Sequence, residues 1–341
     1  MTPLGGNRAV IERAIALRAD GRRFALALVT DTEGSTYRKP GALALVTDAG
    51  ERLGTLSGGC LEPALDQLAR DTLASGRIGM AMFDTRSEDD LVFGSGSGCR
   101  GRMRVLAWPI GPEPRPLFDA LVSAYRDGVP LELALIVEGE DAGRGLAWRN
   151  GDAAPAKGDA LALSLRGAPD GLHTWEGTVF ARLCVDAPPR LLLLGAGPEA
   201  PPLLQLARTL GWFTSVADHR PALLDATRLA DADRRREARP SETLAAEVDD
   251  ADAVLVMTHL ASTDLEALRV LARHEVPYIG LLGPPGRRDE LLAELSFKDR
   301  EVLRPRLHAP VGLPLGGEGP ESIALAITAD LQRHFNATED A

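Results

Sequence analysis

Residues 191–200 read LLLLGAGPEA, four leucines running into the pattern Gly195-x-Gly197-x-x-Ala200. Leu203, Leu204, Leu206, Ala207 and Leu210 follow at helical spacing. The leucine run is short and apolar on both faces, and it is bounded by Pro189 and Gly195. That suits a strand buried in a parallel sheet. Strand, glycine turn and helix together make the dinucleotide-binding fingerprint in its alanine-ended form. Gly195 allows the tight turn, Gly197 lets a pyrophosphate approach the backbone, and Ala200 lets helix and sheet pack closely. The helix start then offers free N–H groups to phosphate. Residues 213–217 read as a second strand, and Asp218 follows it, 23 positions after Gly195. An acidic residue at that distance is where a ribose hydroxyl is held. Arg220 would accept a 2′-phosphate, but Asp218 would repel one, so the pattern favours a non-phosphorylated dinucleotide. The alternative is a doubly wound domain whose glycine turn binds nothing.

The 341 residues suggest about two domains. Hydrophobic residues make up 45%, ample for full cores, which argues against disorder. The net charge of −11 argues against a nucleic-acid partner. The one basic cluster, Arg234-Arg235-Arg236, sits among Asp231, Asp233 and Glu237 and reads as a solvated face. No apolar run reaches the ~20 residues that span a bilayer, and the first residues lack the regions of a signal peptide. Cys60, Cys99 and Cys184 form no Cys-x-x-Cys pair and leave an odd one. A reduced, cytoplasmic protein with no membrane association is the expectation.

Helical spacing of Val10, Ile11, Ala14, Ile15 and Leu17 opens the chain with a helix ending near Gly21. Strands are expected at 24–30 and 42–46, with the polar stretch 31–41 as a loop between them. Next comes Ser57-Gly58-Gly59-Cys60-Leu61-Glu62-Pro63, and Leu65, Leu68, Ala69 and Leu73 mark a helix behind it. Glycines ahead of a helix start make an anion cradle, and a thiol at such a place tends to a lowered pKa. Cys60 reads equally well as a small buried residue in a tight turn. After a strand at 78–83 comes a second glycine loop, Gly94-Ser95-Gly96-Ser97-Gly98-Cys99-Arg100-Gly101, leading into a strand at 103–108. A plain hairpin connection is its other reading. The repetition favours function: two glycine-rich loops each place a cysteine beside a regular element.

Four prolines in 109–116 read as a connector, followed by a helix at 118–125 and a strand-rich stretch to 185. Ala187-Pro188-Pro189 is the sharpest boundary. It divides an N-terminal α+β domain, 1–186, whose part 109–186 is a strand-rich extension, from a Rossmann-like doubly wound domain, 190–341. In the latter, strands are expected at 252–257 and 278–282, and helices at 242–248, 265–272 and from 320 on. Thr258-His259 falls at the carboxyl end of a strand, where doubly wound sheets bind ligands. His259 is either a ligand contact, with Asp264 as its partner, or a hydrogen-bonded strand end. No metal-ligand spacing surrounds it.

Taken together these motifs resemble the XdhC/CoxI family, accessory proteins of xanthine dehydrogenase and related molybdenum hydroxylases. The resemblance rests on Gly34-Ser35 with Pro40-Gly41, Ser57 to Glu62, Gly98-Cys99-Arg100-Gly101, Pro189 to Gly197, Thr258-His259 with Asp264-Leu265, residues 278–283, and Pro310 to Leu313 with Pro320 to Ala324. Three departures stand out: Pro198 where many relatives have histidine, Arg100 where many have glycine, and the insertion Pro284-Pro285-Gly286. The resemblance implies a non-catalytic chaperone that binds the molybdenum cofactor, as molybdopterin or its dinucleotide form. It implies protection of the cofactor during sulfuration by a cysteine desulfurase, and delivery to the large subunit of a molybdenum hydroxylase. It also implies a homodimer. Cofactor contacts are expected from Ser57, Gly58, Gly59, Cys60, Gly98, Cys99, Gly195, Gly197, Ala200, Asp218 and His259. The alternatives from the residues alone are an NAD-dependent oxidoreductase, with His259 as proton donor, and a dinucleotide-binding regulatory protein.

Overall fold

The computed structural model describes residues 4–59, 61–84, 101–149 and 164–336. The chain divides into two compact units, one of residues 6–187 and one of 188–341 joined by residues 1–5. The fold is mixed α/β, with antiparallel sheets in the first unit and a six-stranded parallel sheet in the second.

The first unit opens with helix α1 (Gly6–Ala19). Strands β1 (Phe24–Gly34), β2 (Leu43–Thr47) and β3 (Arg52–Leu53) follow, then helix α2 (Glu62–Ser75) and strands β4 (Gly79–Asp84) and β5 (Gly101–Ile110). They form an antiparallel sheet of order β3-β2-β1-β5-β4. β1 is central and buried on both faces, so its first half, FALALVT, is apolar without alternation. Ala27 and Val29 meet Leu65 of α2 in one cluster. The Phe24 ring meets the ring of Phe118 edge-on. Phe118 belongs to helix α3 (Pro116–Asp127), which Gly128 stops in a left-handed cap.

The sequence expectation ended the first strand at Thr30 and made 31–41 a loop. The strand instead runs to Gly34, past a bulge between Val29 and Asp31. The polar residues pair across the ladder: Asp31 lies opposite Arg104 with a 2.7 Å ion pair, and Glu33 opposite Arg102 with a 3.0 Å one. A second antiparallel sheet, of order β7-β6-β9-β8, is built from β6 (Leu131–Ile136), β7 (Gly145–Arg149), β8 (Gly171–Trp175) and β9 (Thr178–Val185). Leu165, Trp148 and Phe180 fill its core.

The second unit alternates strand and helix. Strands β10 (Arg190–Leu194), β11 (Phe213–Asp218), β12 (Arg234–Glu237), β13 (Ala253–Val256), β14 (Tyr278–Leu281) and β15 (Leu307–His308) run parallel in the order β12-β11-β10-β13-β14-β15. Counted from β10, that is 3-2-1-4-5-6, the doubly wound order, with the switch point between β10 and β13. Helices α4 (Ala200–Leu210) and α9 (Gly319–Asn336) cover one face. Helices α5 (Pro240–Glu247), α6 (Ala261–Leu271), α7 (Pro285–Ala293) and α8 (Phe297–Leu303) lie toward the other. The leucine run shows why it must be apolar throughout. Leu191 and Leu193 enter the core under α4, and Leu192 and Leu194 enter the opposite one. Each is at most 2% exposed, and burial on that scale is worth about 1.5–3 kcal/mol per side chain as an upper estimate. The arginine cluster forms β12, an exposed edge strand. Charge on a sheet edge discourages pairing with other chains.

Candidate functional site

The crevice at the carboxyl ends of the parallel strands is built from the glycine turn. Gly195 has φ 117°, and a Cβ there would lie 2.3 Å from the Met257 carbonyl oxygen. The turn after β10 therefore crosses the chain leaving β13 at a separation only glycine permits. Arg228 fixes the turn from behind: its guanidinium donates to the carbonyls of Ala196 at 2.8 Å and Gly197 at 2.5 Å. Ala200 is fully buried at the first position of α4. Pro201 and Pro202 follow in the first turn, where missing N–H groups break no helical bond.

Asp218 ends β11, buried, with both oxygens engaged. One accepts from the Arg220 amide and its Nε at 2.9 Å each, the other from the Ala196 amide at 2.9 Å and Arg220 Nη2 at 2.8 Å. Burial works to raise the Asp218 pKa. Arg220 and the two amides outweigh it and hold the carboxyl below its usual range. A ribose hydroxyl reaching Asp218 would have to displace the Arg220 guanidinium.

His259 follows β13 with φ 62°, a left-handed conformation rare for a residue with a Cβ. That backbone swings its ring over Gly197 to Glu199, and His259 Nε2 lies 3.0 Å from Glu199 Oε2. The expected partner, Asp264, is not the one used. Asp264 is 1% exposed and accepts from the Thr258 amide at 3.2 Å, Thr258 Oγ1 at 2.6 Å and Arg287 Nη2 at 2.6 Å. It stands at the start of α6 pointing inward, so it ties the end of β13 to α7 and cannot reach the histidine ring. Glu199, His259 and Arg287 line a cavity of about 500 Å³, with Leu282, Gly283, Pro284, Pro310, Val311, Ile323 and Ala326 as its other walls. A Cβ on Gly197 would fall 2.5 Å from His259 Nε2 and 2.9 Å from Glu199 Oε2, so these side chains occupy the space a pyrophosphate would use.

In the first unit, Ser57 is buried and braces its loop. Its hydroxyl donates to Glu62 and accepts from the amides of Gly59 at 3.3 Å and Leu61 at 3.1 Å. Gly58 and Gly59 remain exposed, and a Cβ on Gly58 would meet the Tyr37 ring at 3.8 Å. A Cβ on Gly101 would lie 2.2 Å from the Ser35 carbonyl oxygen. The loop after β1 therefore meets both Gly58, ahead of α2, and Gly101, where β5 starts. Cys60, Gly98 and Cys99 lie outside the described residues.

The structure thus brings Gly195, Gly197, Ala200 and His259 together around one crevice and gives Asp218 to Arg220. Glu199 and Arg287 were not singled out by sequence reasoning. Glu199 lies inside the fingerprint itself, just before the helix, which is the signal that would have found it. Among the described residues, no group of three His, Cys, Asp or Glu side chains is placed to hold a metal ion, and no helix is long and apolar enough to cross a membrane.

Comparison with known proteins gives this geometry its relatives. Residues 191–331 match the XdhC Rossmann domain and residues 17–84 the XdhC and CoxI family. The chain is 33% identical to a probable xanthine dehydrogenase subunit of Bacillus subtilis (strain 168), over 93% of this chain and 94% of that protein. It is 24% identical to the molybdenum cofactor insertion chaperone PaoD of Escherichia coli (strain K12), over 95% and 87% of the two chains. A crystal structure described as a xanthine dehydrogenase from Bacillus halodurans superposes with a TM-score of 0.76 at 29% identity, covering 96% of each chain. With a doubly wound unit carrying the family's fingerprint and a full-length relative at this identity, the chain belongs to the XdhC and CoxI family.

Proposed function

We propose that this protein binds the molybdenum cofactor, shields it while a cysteine desulfurase sulfurates it, and hands it to the large subunit of a xanthine dehydrogenase-type molybdenum hydroxylase. The observation that carries the reading is the relationship along nearly the whole chain to a molybdenum cofactor insertion chaperone and to a probable xanthine dehydrogenase subunit. The crevice supports it. A 500 Å³ cavity with mostly apolar walls, one carboxylate and one guanidinium suits a bound heterocycle of moderate size. Here the cofactor is cargo, and the chain's own residues bind, orient and exclude water. Cys60 and Cys99 are the proposed thiol contacts to molybdenum, a metal that suits soft ligands. Action as a homodimer in the cytoplasm belongs to the same proposal.

The fingerprint and strand order also favour a second reading, a dinucleotide-binding oxidoreductase or sensor. It requires Arg220 to leave Asp218 and His259 to leave Gly197. The test is anaerobic binding of released molybdenum cofactor, with metal per chain measured by mass spectrometry after gel filtration. Near-stoichiometric retention that collapses in Cys99→Ala supports cargo binding at that thiol, and retention in both chains moves the contact to Cys60. No retention in either chain, together with quenching of NADH fluorescence, replaces the chaperone reading by the second one.

A further inference from the structure

The geometry points to Glu199 as the group that recognises the aminopyrimidinone edge of a fused bicyclic ring, the edge that pterins and guanine share. The inference deepens the cofactor-binding reading and rests on it for its choice of ring.

The Glu199 side chain is 10% exposed and lines the cavity. Its Oε2 is held by His259, whose left-handed backbone fixes the ring from the far side. Its Oε1 has no protein partner among the described residues. A carboxylate oxygen that has no protein donor and keeps some accessible surface is open to a donor from a ligand. A carboxylate presents two oxygens with about four lone-pair sites. Two adjacent N–H donors, such as a ring N–H beside an amino group, match that pair in the way a guanidinium does.

Arg287, which also lines the cavity, uses Nη2 for Asp264 at 2.6 Å, and its guanidinium has further N–H groups that can serve a ligand's carbonyl or phosphate oxygen. Leu282, Pro284, Val311, Ile323 and Ala326 give the cavity apolar walls that suit a flat ring. A simple anion fits poorly, because Glu199 repels it. An adenine fits poorly too, because a ring nitrogen lone pair would face the carboxylate where a second N–H is needed. The carboxylate, the guanidinium, the apolar walls and the size together favour a flat ring that offers two adjacent N–H donors and an acceptor.

The test titrates the full chain with pterin and with lumazine, which carries a carbonyl oxygen where pterin has its amino group, following ligand fluorescence. Guanosine and adenosine are run as competitors. Pterin is expected to bind at least about tenfold more tightly than lumazine, as the loss of a charge-assisted hydrogen bond implies. Glu199→Gln, close in shape to the native residue, should abolish that preference while leaving the thermal transition in place. Ala326→Leu, which narrows the cavity from the other wall, should weaken pterin binding without restoring lumazine. If guanosine outcompetes pterin, Glu199 keeps its role and the ring belongs to a nucleotide. Equal binding of pterin and lumazine, or a Glu199→Gln chain that still prefers pterin, overturns the inference. Molybdenum retention by a chain that shows no such preference would leave the delivery role standing and place the pterin elsewhere.

Discussion

Gly195 and Gly197 share a residue type for different physical reasons, and the difference is measurable. A methyl group on Gly195 meets the backbone of Met257 and Thr258, at a φ of 117°. Neither can yield without moving β13, so Gly195→Ala should cost about 3 kcal/mol or more in urea unfolding. A methyl on Gly197 meets only the ends of the His259 and Glu199 side chains, and Gly197 needs no left-handed backbone. Gly197→Ala should therefore cost only about 1 kcal/mol, roughly the 3.0 Å bond between those side chains, while weakening pterin selectivity. The glycine spacing made both positions legible in the sequence, as it did Asp218 and His259. What the spacing does not encode is which side chain fills the space a glycine leaves. Arg220 is two residues from Asp218 and Glu199 is two from Gly197. Their roles depend on side-chain direction, which a motif in one dimension does not carry.

β1 shows the same limit at the scale of an element. Its first seven residues are apolar and read as a strand, but Asp31, Thr32 and Glu33 do not, and they pair with Arg104, Met103 and Arg102 on β5. Cross-strand charge pairs replace apolar burial in holding this end of the ladder, and the partners lie about seventy residues away, beyond any local window. A double-mutant cycle on Asp31→Ala and Arg104→Ala should give a favourable coupling of about 0.5–1.5 kcal/mol, since both side chains are less than one-fifth exposed. A coupling of zero would mean that backbone pairing alone carries the extension. The four inner strands of the parallel sheet, by contrast, were readable one by one, because strands buried on both faces are short and largely apolar. The two edges were the exceptions: β12 is a strand by its hydrogen bonding and a charged surface by its composition, and β15 is only two residues long.

At the scale of the whole molecule, two histidines set a pH limit. Tyr278 is buried, stacks on His308 at 3.9 Å and donates to Asp330 at 2.8 Å, with His334 alongside. Burial lowers both histidine pKa values below 6.5. Asp330 opposes it at both, Asp252 at His334, while Arg333 and His334 reinforce it at His308. The unfolded chain thus takes up protons first as pH falls, so stability is complete above pH 6.5 and declines as pH drops from 6.5 toward the folded values. Asp252, raised by burial against the pull of Arg190, acts in the opposite sense. A melting temperature lower at pH 5.5 than at pH 7.5, with the difference reduced in a His308→Asn, His334→Asn chain, is the expected outcome. An unchanged slope in that double variant would assign the limit to other groups. The second unit also includes residues 1–5, and the Gly5 amide donates to the Arg208 carbonyl at 3.1 Å. The two are about 200 residues apart, so at ribosomal rates of ~5–20 residues per second Gly5 waits about 10–40 s for its partner to be made. Residues 6–187 are all made before Arg208, by about 1–4 s at those rates, so the middle of this chain can begin to fold before its beginning has its partner.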